Sequence, residues 1–466
     1  MTTIAIERSS QTGQTDAADD TDNTQLIASF ARQPILNRDS MLCGYELKVL
    51  APELPAGDEP AASAPGTDST SDPDTADALP GRAPTPQEQV ARAIVRGLIA
   101  SNVRAALTGH PAYVDVSRDM LLDDAILRLP PEHVMLELPS TLQVDDELVA
   151  RIIALHGRRY RFALDEVTQP GESFAKLLPY AEVVKIDFLR TPAPLRAKLV
   201  SVLKSAGKLL IALGIHTASD FETAHGLGFD RFQGYFFARA QSSMARRVSA
   251  PRHALLNLLQ LLSGDPTVAQ LEAELKLNPV LVMHLMKLAN SSGLSMGHKV
   301  TTLREAITAT GTNRIARWTQ LLLYADGRKV ALEDDPLLQL AATRARFMEL
   351  AIERLPEAGR DEADAAFLTG VFSFVDAVFG GSLESTLNVL TLARPIQAAI
   401  LHREGVLGLL LSAVEALEKG DWDSMATLCA RLQPLTVPAL AQLGMAAGAW
   451  AGVADRSAEG LERIED

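Results

Sequence analysis

Acidic side chains stand at the ends of several apolar, strand-like segments of the chain. Converging carboxylates repel one another unless a hard cation such as Mg²⁺ or Mn²⁺ neutralises them, and such an ion beside a lysine suits the hydrolysis of a phosphoester. The alternative is that these acids are the solvated starts of loops. The polar residues at the segment ends are Glu46, Asp115, Glu137, Asp165 with Glu166, Lys185 with Asp187, His216 and Gln233.

The segments that carry these residues predict a series of short strands. SFARQPIL and MLCGYELKVL come first, and AYVDVS, HVMLELP, RFALDEV, VVKIDF, LLIALGI and RFQGYFF follow, separated by amphipathic helical segments. Apolar strands that alternate with helices are typical of a mostly parallel sheet covered by helices, and about eight of them predict a closed, TIM-like α/β barrel. Because functional groups lie at the C-terminal ends of barrel strands, the acids should converge on one rim.

The domain organisation follows from where the strand pattern ends. Beyond about residue 245 only helix-length segments follow, which predicts an all-α second domain. We expect a disordered tail at residues 1–23, the barrel at residues 24–243 and the helical domain at residues 244–466. Residues 51–86, rich in proline and acids, should form a disordered loop inserted in the barrel. The uncharged residues 432–454 include two prolines and two glutamines, so we interpret them as a buried helix rather than a membrane span.

Composition restricts the partners and the compartment. The 466 residues include 58 acids against 44 basic residues, a net charge of −14, which disfavours a broad surface for nucleic acid or anionic lipid. The first residues lack the basic and apolar regions of a signal peptide. Cys43 and Cys429 are far apart and fit a reducing compartment better than a disulfide framework. We expect a cytoplasmic protein with no nucleic-acid and no membrane partner.

The motifs RQPIL, GYELK, VDVS, LELPS, ALDEV, VVKIDF and FQGYFF, in this order, resemble the EAL domain, a barrel phosphodiesterase that hydrolyses the bacterial second messenger cyclic di-GMP. The resemblance covers roughly residues 26–240 and is closest to EAL proteins fused to a C-terminal HDOD domain. It implies metal-binding roles for Glu46, Glu137 and Asp165, and it matches Gln33, Lys185 and Gln233 to residues of the family pattern. Leu47 and Lys48 replace the Ala-Leu of the signature motif.

Other positions depart from the pattern of active EAL domains. Asp115 replaces a metal-binding asparagine, Glu166 replaces the second of two paired aspartates, and the sequence VTQP replaces the Phe-Gly-Thr-Gly loop that follows them. Leu213 and His216 replace two glutamates, and Leu50 replaces a substrate-binding arginine. An apolar leucine neither binds a metal nor orients a water molecule. Losing a ligand, a loop and a phosphate-binding group together removes both positioning and charge stabilisation.

We therefore expect a degenerate barrel that has no catalytic activity and needs no cofactor, with Mg or Mn only if an active phosphodiesterase with atypical ligands is the correct alternative. Cyclic di-GMP should bind weakly or not at all, and a receptor without turnover is a further alternative. The vestigial catalytic candidates are Glu46, Lys185 and Gln233. The vestigial metal candidates are Glu46, Asp115, Glu137, Asp165 and Glu166.

The helical half resembles the HDOD domain in LNPVLVMHLMKLANSSG and TTLREAITATGTNRIARW. A phosphohydrolase of the HD type needs a His-Asp pair for its metal, and none of the nine histidines precedes an aspartate. The resemblance implies an interaction module. Thr302 and Glu305 have the spacing of a helix capping box. The Ser/Gly/Met loop before them is either a recognition loop or a plain turn. We expect a non-catalytic bacterial signalling protein that acts through protein contacts with signalling partners of unknown identity, and a homodimer is possible.

Overall fold

A computed structural model describes most of the chain. The predicted tail, most of the predicted inserted loop (residues 53–83), the predicted domain boundary and the Ser/Gly/Met loop lie outside the described residues. The described residues are 26–52, 84–238, 252–290, 300–325, 335–356, 358–379, 382–390 and 392–462.

Eight strands form a closed barrel in the order β1 to β8, which confirms the predicted α/β barrel. β1 runs antiparallel to both its neighbours, β2 and β8, whereas the other adjacent pairs are parallel. The strands are β1 (Ser29–Asn37), β2 (Leu42–Leu50), β3 (Ala112–Asp115), β4 (Val134–Pro139), β5 (Arg161–Val167), β6 (Ala181–Asp187), β7 (Leu209–Leu213) and β8 (Arg231–Gln233).

The reversed direction of β1 has a local cause. A tight turn joins β1 directly to β2, and such a turn can join only antiparallel strands. The side chain of Asn37 accepts hydrogen bonds from the backbone N–H groups of Asp39 and Met41, at 2.9 and 3.0 Å. The turn therefore closes on itself, and Gln33 of β1 lies opposite Glu46 of β2.

Side chains inside the barrel form two layers because alternate residues of a strand point to the same face. The lower layer is apolar and separate from the main core of the protein; it comprises Ile35, Tyr113, Met135, Ala163, Val183 and Ile211. On five of these six strands the residue two positions further along belongs to the upper layer. That upper layer contains Asp115, Glu137, Asp165, Lys185 and Leu213.

Helices cover the outside of the barrel. The first of them, α1, begins with a capping box in which the Thr85 side chain accepts from the N–H of Glu88 and the Glu88 side chain accepts from the N–H of Thr85. The helices of this half are α1 (Pro86–Leu98), α2 (Ser101–Ala106), α3 (Arg118–Leu122), α4 (Asp146–Gly157), α5 (Glu172–Leu177), α6 (Ala193–Ser205) and α7 (Ala218–Leu227), with short 3₁₀ helices at Asp124–Arg128 and Phe236–Ala238.

The second half of the described chain is helical, as predicted, and the capping box of Thr302 and Glu305 is confirmed at the start of α11. The described helices are α8 (Arg252–Ser263), α9 (Val268–Lys276), α10 (Pro279–Ala289), α11 (Leu303–Thr310), α12 (Thr312–Ala325), α13 (Pro336–Ile352), α14 (Arg360–Phe372), α15 (Val375–Phe379), α16 (Leu383–Leu390), α17 (Arg394–His402), α18 (Gly405–Lys419), α19 (Trp422–Arg431) and α20 (Val437–Glu462). Among the described residues, no helix combines the length and the apolar character that a membrane crossing requires.

The helical half packs directly on the barrel. Helices α18 and α20 contact β1, and α20 also contacts α2. The Arg32 guanidinium of β1 donates to the Thr343 hydroxyl of α13 at 2.6 Å and to the carbonyl oxygen of Ala106. A side chain at Gly448 of α20 would collide with that guanidinium, since its Cβ would lie 2.6 Å from the Arg32 Cζ. Close helix approach thus joins the two halves at β1.

Candidate functional site

Four of the predicted acids meet at one end of the barrel. Each offers one carboxylate oxygen within 4.8 Å of the others, and we call Glu46, Asp115, Glu137 and Asp165 the acid cluster. Three of these side chains are buried, and Asp115, at the end of β3, is half-buried. The strand ends therefore bring the acids together as the sequence predicted.

Lys185 of β6 supplies a positive charge to this cluster. Its Nζ lies 2.7 Å from Glu46 Oε2, 2.7 Å from Glu137 Oε1 and 3.0 Å from Asp165 Oδ1, and the side chain is fully buried. Burial alone would lower the pKa of Lys185, but the carboxylates of Glu137, Glu46 and Asp165 outweigh it and raise the pKa well above the ordinary value. The lysine is thus held charged by three acids.

Lys48 supplies a second ammonium group, and this contribution was not predicted. Its Nζ contacts Glu46 Oε1 and lies 3.8 Å from Asp115 Oδ2. Glu46 and Lys48 are two residues apart on β2 and so share the inward face of the strand. Burial tends to raise the pKa of Glu46, yet the ammonium groups of Lys185 and Lys48 lower it to about 2. The strand alternation around Glu46 was the sequence signal for Lys48.

Two glutamines extend the site on the side of β1 and β8. The Gln233 side-chain amide donates to the Glu46 carboxylate and, at 2.5 Å, to Gln33 Oε1. Glu46 Oε1 therefore contacts the Lys48 ammonium group, and Oε2 accepts hydrogen bonds from Lys185 and Gln233. Gln233 is buried, as a residue that orients Glu46 should be.

The remaining acids of the cluster are less well compensated. Burial, followed by the Asp165 carboxylate, raises the pKa of Asp115 to about 6. Burial also raises the pKa of Glu137 well above its ordinary value, because Lys185 compensates it only in part against the neighbouring acids. Glu137 Oε2 is buried and has no hydrogen-bond partner within the described residues. Glu137 is therefore the acid most ready to hold a proton or to bind a further donor.

Three other positions named from the sequence lie outside the cluster. Glu166 is exposed and adopts a left-handed φ of 48° at a shift in register between β5 and β6, so its side chain does not join Asp165. A left-handed backbone costs a residue with a side chain roughly 1–2 kcal/mol. His216 is exposed, and the half-buried Leu213 packs against the apolar layer. Leu213 is thus the one apolar side chain among the five residues of the upper layer.

The fold and the site define a class of protein: a closed α/β barrel with an acid and lysine cluster at its mouth, joined to a helical domain. Residues 250–373 match the HDOD domain family, so the C-terminal half carries an HDOD domain, as predicted.

Two relatives match most of the chain. The chain is 26% identical over 418 residues to the cyclic di-GMP phosphodiesterase CdgJ of Vibrio cholerae, covering 88% of this chain and 89% of that protein. It is 23% identical over 404 residues to the uncharacterized protein YuxH of Bacillus subtilis, covering 85% and 92%.

Solved structures match the barrel half. The EAL domain of Mycobacterium smegmatis DcpA is 17% identical, with a TM-score of 0.33, and the match covers 45% of this chain and 90% of that one. The Klebsiella pneumoniae BlrP1 calcium and cyclic di-GMP complex is 18% identical, with a TM-score of 0.32, and the match covers 46% of this chain and 55% of that one. The barrel itself is established by the closed strand order β1 to β8 and does not depend on these TM-scores.

Proposed function

We propose that this protein is a regulatory component of cyclic di-GMP signalling whose barrel does not hydrolyse the nucleotide. The observation that carries this proposal is the position of Lys48, whose ammonium group lies against Glu46 and Asp115 inside the acid cluster. In the EAL domains that the sequence resembles, a leucine occupies this position. The similarity to CdgJ supports the signalling context.

The charges of the site argue against a resident divalent cation. A cation among the four acids would stand close to the ammonium groups of both Lys48 and Lys185. Like charges at a few ångström repel strongly where burial lowers the effective dielectric constant. Each oxygen of Glu46 is also already in contact with an ammonium group, Oε1 with Lys48 and Oε2 with Lys185. As they stand, these residues do not fit Mg²⁺ or Mn²⁺.

In this proposal the protein transmits its signal through contacts with other proteins. We assign them to the HDOD domain, which we extend over residues 244–466, and we place the protein in the cytoplasm. The half-buried Leu50 offers no charge to a phosphate, which supports weak or absent binding of cyclic di-GMP. A pull-down with the full chain, compared with a chain whose exposed HDOD surface has been altered, tests this role. Partners captured equally by both would contradict it.

A second candidate function is hydrolysis of cyclic di-GMP with atypical ligands. Two observations favour it: the buried Oε2 of Glu137, which has no hydrogen-bond partner in the part of the chain that the structure describes, and the similarity to a protein named a phosphodiesterase. With every carboxylate ionised, the four acids of the cluster and the ammonium groups of Lys48 and Lys185 sum to a charge of −2. If Lys48 moved away, the sum would become −3, which would suit one divalent cation.

One experiment separates the two functions. The full chain is incubated with cyclic di-GMP and Mg²⁺ or Mn²⁺, and the linear dinucleotide is measured by chromatography. We expect no metal-dependent product. Product that disappears in Glu46→Ala would establish the phosphodiesterase and refute our proposal. Calorimetry with the same nucleotide examines the receptor alternative: a micromolar or tighter site without turnover would make the barrel a receptor.

A further inference from the structure

The C-terminal end of α18 meets the barrel at Lys48. Helix α18 ends at Gly420, which has a left-handed φ of 67°. A Cβ at Gly420 would lie 2.9 Å from both the Cβ and the Cγ of Lys48, closer than side chains approach in proteins. Only glycine allows this contact, so the end of a helix of the second domain packs on the stem of the lysine that enters the acid cluster.

The same helix end also approaches the acid cluster through Tyr235 and two glutamines. The Tyr235 hydroxyl donates to the backbone carbonyl oxygen of Glu418 at 2.6 Å, and the Gln33 side chain lies close enough to this hydroxyl to oppose in part the rise in its pKa that burial causes. Gln33 accepts from Gln233 at 2.5 Å, and Gln233 donates to Glu46. These contacts bring the C-terminal end of α18 near the carboxylate that Lys48 neutralises.

The helix end is itself firmly held within the helical half. The guanidinium of the buried Arg344 of α13 donates to both carboxylate oxygens of Glu418, at 2.9 and 2.6 Å, and to the Ser373 hydroxyl at 3.0 Å. The guanidinium also stacks over the Phe374 ring, 3.9 Å from its centroid. A rearrangement of α13 or α18 in the HDOD domain would therefore move Glu418 and Gly420 together.

We propose that Gly420 is a positioning residue that holds Lys48 in the acid cluster. The helical domain thereby controls whether the acid cluster is neutralised by the Lys48 ammonium group or by a bound divalent cation. This inference rests on the proposed function, in which Lys48 excludes the metal. The Lys48 side chain is 30% exposed, so its ammonium group can leave for solvent without crossing the core. Displacing its stem would leave a cluster of four acids with Lys185 alone.

Binding of Mn²⁺ to the full chain, followed by the loss of the electron paramagnetic resonance signal of the free ion, tests this inference. We expect weak binding to the unaltered chain and binding at least about tenfold tighter in Lys48→Met, because a divalent cation no longer meets an ammonium group a few ångström away. Gly420→Ala should also bind Mn²⁺ more tightly, since the new methyl group pushes the lysine stem aside.

Gly405→Ala is the matched control. Gly405 lies at the other end of α18 and has the same φ of 67°, and a Cβ there would meet no atom of the described residues within 4 Å. It bears the same backbone strain without touching Lys48, so Gly405→Ala should bind Mn²⁺ like the unaltered chain. The double variant with Lys48→Met and Gly420→Ala should bind no more tightly than Lys48→Met, because both changes act through the same ammonium group.

Two results would overturn the inference. The first is equal Mn²⁺ affinity in Gly420→Ala and Gly405→Ala, and the second is an additive effect in the double variant. The proposed function fails on a different result, metal-dependent hydrolysis by the unaltered chain, so the two failures are distinguishable. Circular dichroism and thermal melting of each variant establish that the compared chains are folded.

Discussion

Replacing Lys185 by methionine removes the ammonium group that three carboxylates share. At 2.7 Å from Glu46 and from Glu137, each contact is worth about 6 kcal/mol of Coulomb attraction at an effective dielectric constant of about 20, and desolvation of the charges offsets most of this. Removing one partner of such a buried pair leaves unpaired charge and costs about 3–5 kcal/mol. We expect Lys185→Met to lower the free energy of unfolding by that amount at pH 7.

Urea unfolding followed by circular dichroism measures this loss. Lys204→Met is the control, because Lys204 also contacts an acid, Asp230 at 2.6 Å, but its side chain is 41% exposed. An exposed pair of this kind contributes about 1 kcal/mol or less. The loss in Lys185→Met should shrink as the pH falls, because the uncompensated carboxylates then take up protons. Equal losses in the two variants at pH 7 would refute the view that Lys185 is the main counter-charge of the cluster.

Two further changes test the site and the helical half. Asp115→Asn should stabilise the chain at pH 8 and leave it unchanged at pH 4: the pKa of Asp115 rises to about 6 on folding, so the stability that this group supplies is complete at low pH and is lost as the pH rises through 6. Thermal melts at the two pH values check this. Gly370→Ala in α14 should destabilise the chain by about 1–3 kcal/mol, since its Cβ would lie 2.5 Å from the Ala345 Cα of α13, whereas Gly226→Ala, with nothing within 4 Å, should stabilise it by up to about 1 kcal/mol. Urea unfolding of both variants measures these changes in the free energy of unfolding.

The barrel and most of its acid cluster were predictable because they depend on periodicity. Apolar runs fixed the strands, and the chain direction placed the end of each parallel strand on one rim. The same alternation separates Asp165 from its neighbour Glu166, which faces solvent, so adjacency in sequence was a poor guide to membership of the site. It also places Lys48 on the same face of β2 as Glu46. Comparison with the signature motif had identified Lys48 only as a substitution.

The contact between the domains could not be predicted from the sequence. Gly420 ends a helix in the way that many glycines do, and nothing near it in the sequence indicates Lys48. Its effect depends on where α18 packs against β1 and so brings Gly420 close to Lys48, which is a property of tertiary structure. Likewise, the hydrogen bond from Tyr235 to Glu418 joins residues 183 positions apart and uses a backbone oxygen that every residue has.

The closure of the barrel has a consequence for synthesis of the chain. β1 pairs with β8, and the side chains of Gln33 and Gln233 that meet there are 200 residues apart. At about 5–20 residues per second, a ribosome needs roughly 10–40 s to make the intervening chain. During that time the β1–β2 hairpin presents an unpaired strand edge, which favours pairing with other chains. Nascent chains of this protein should therefore depend on chaperones until β8 emerges.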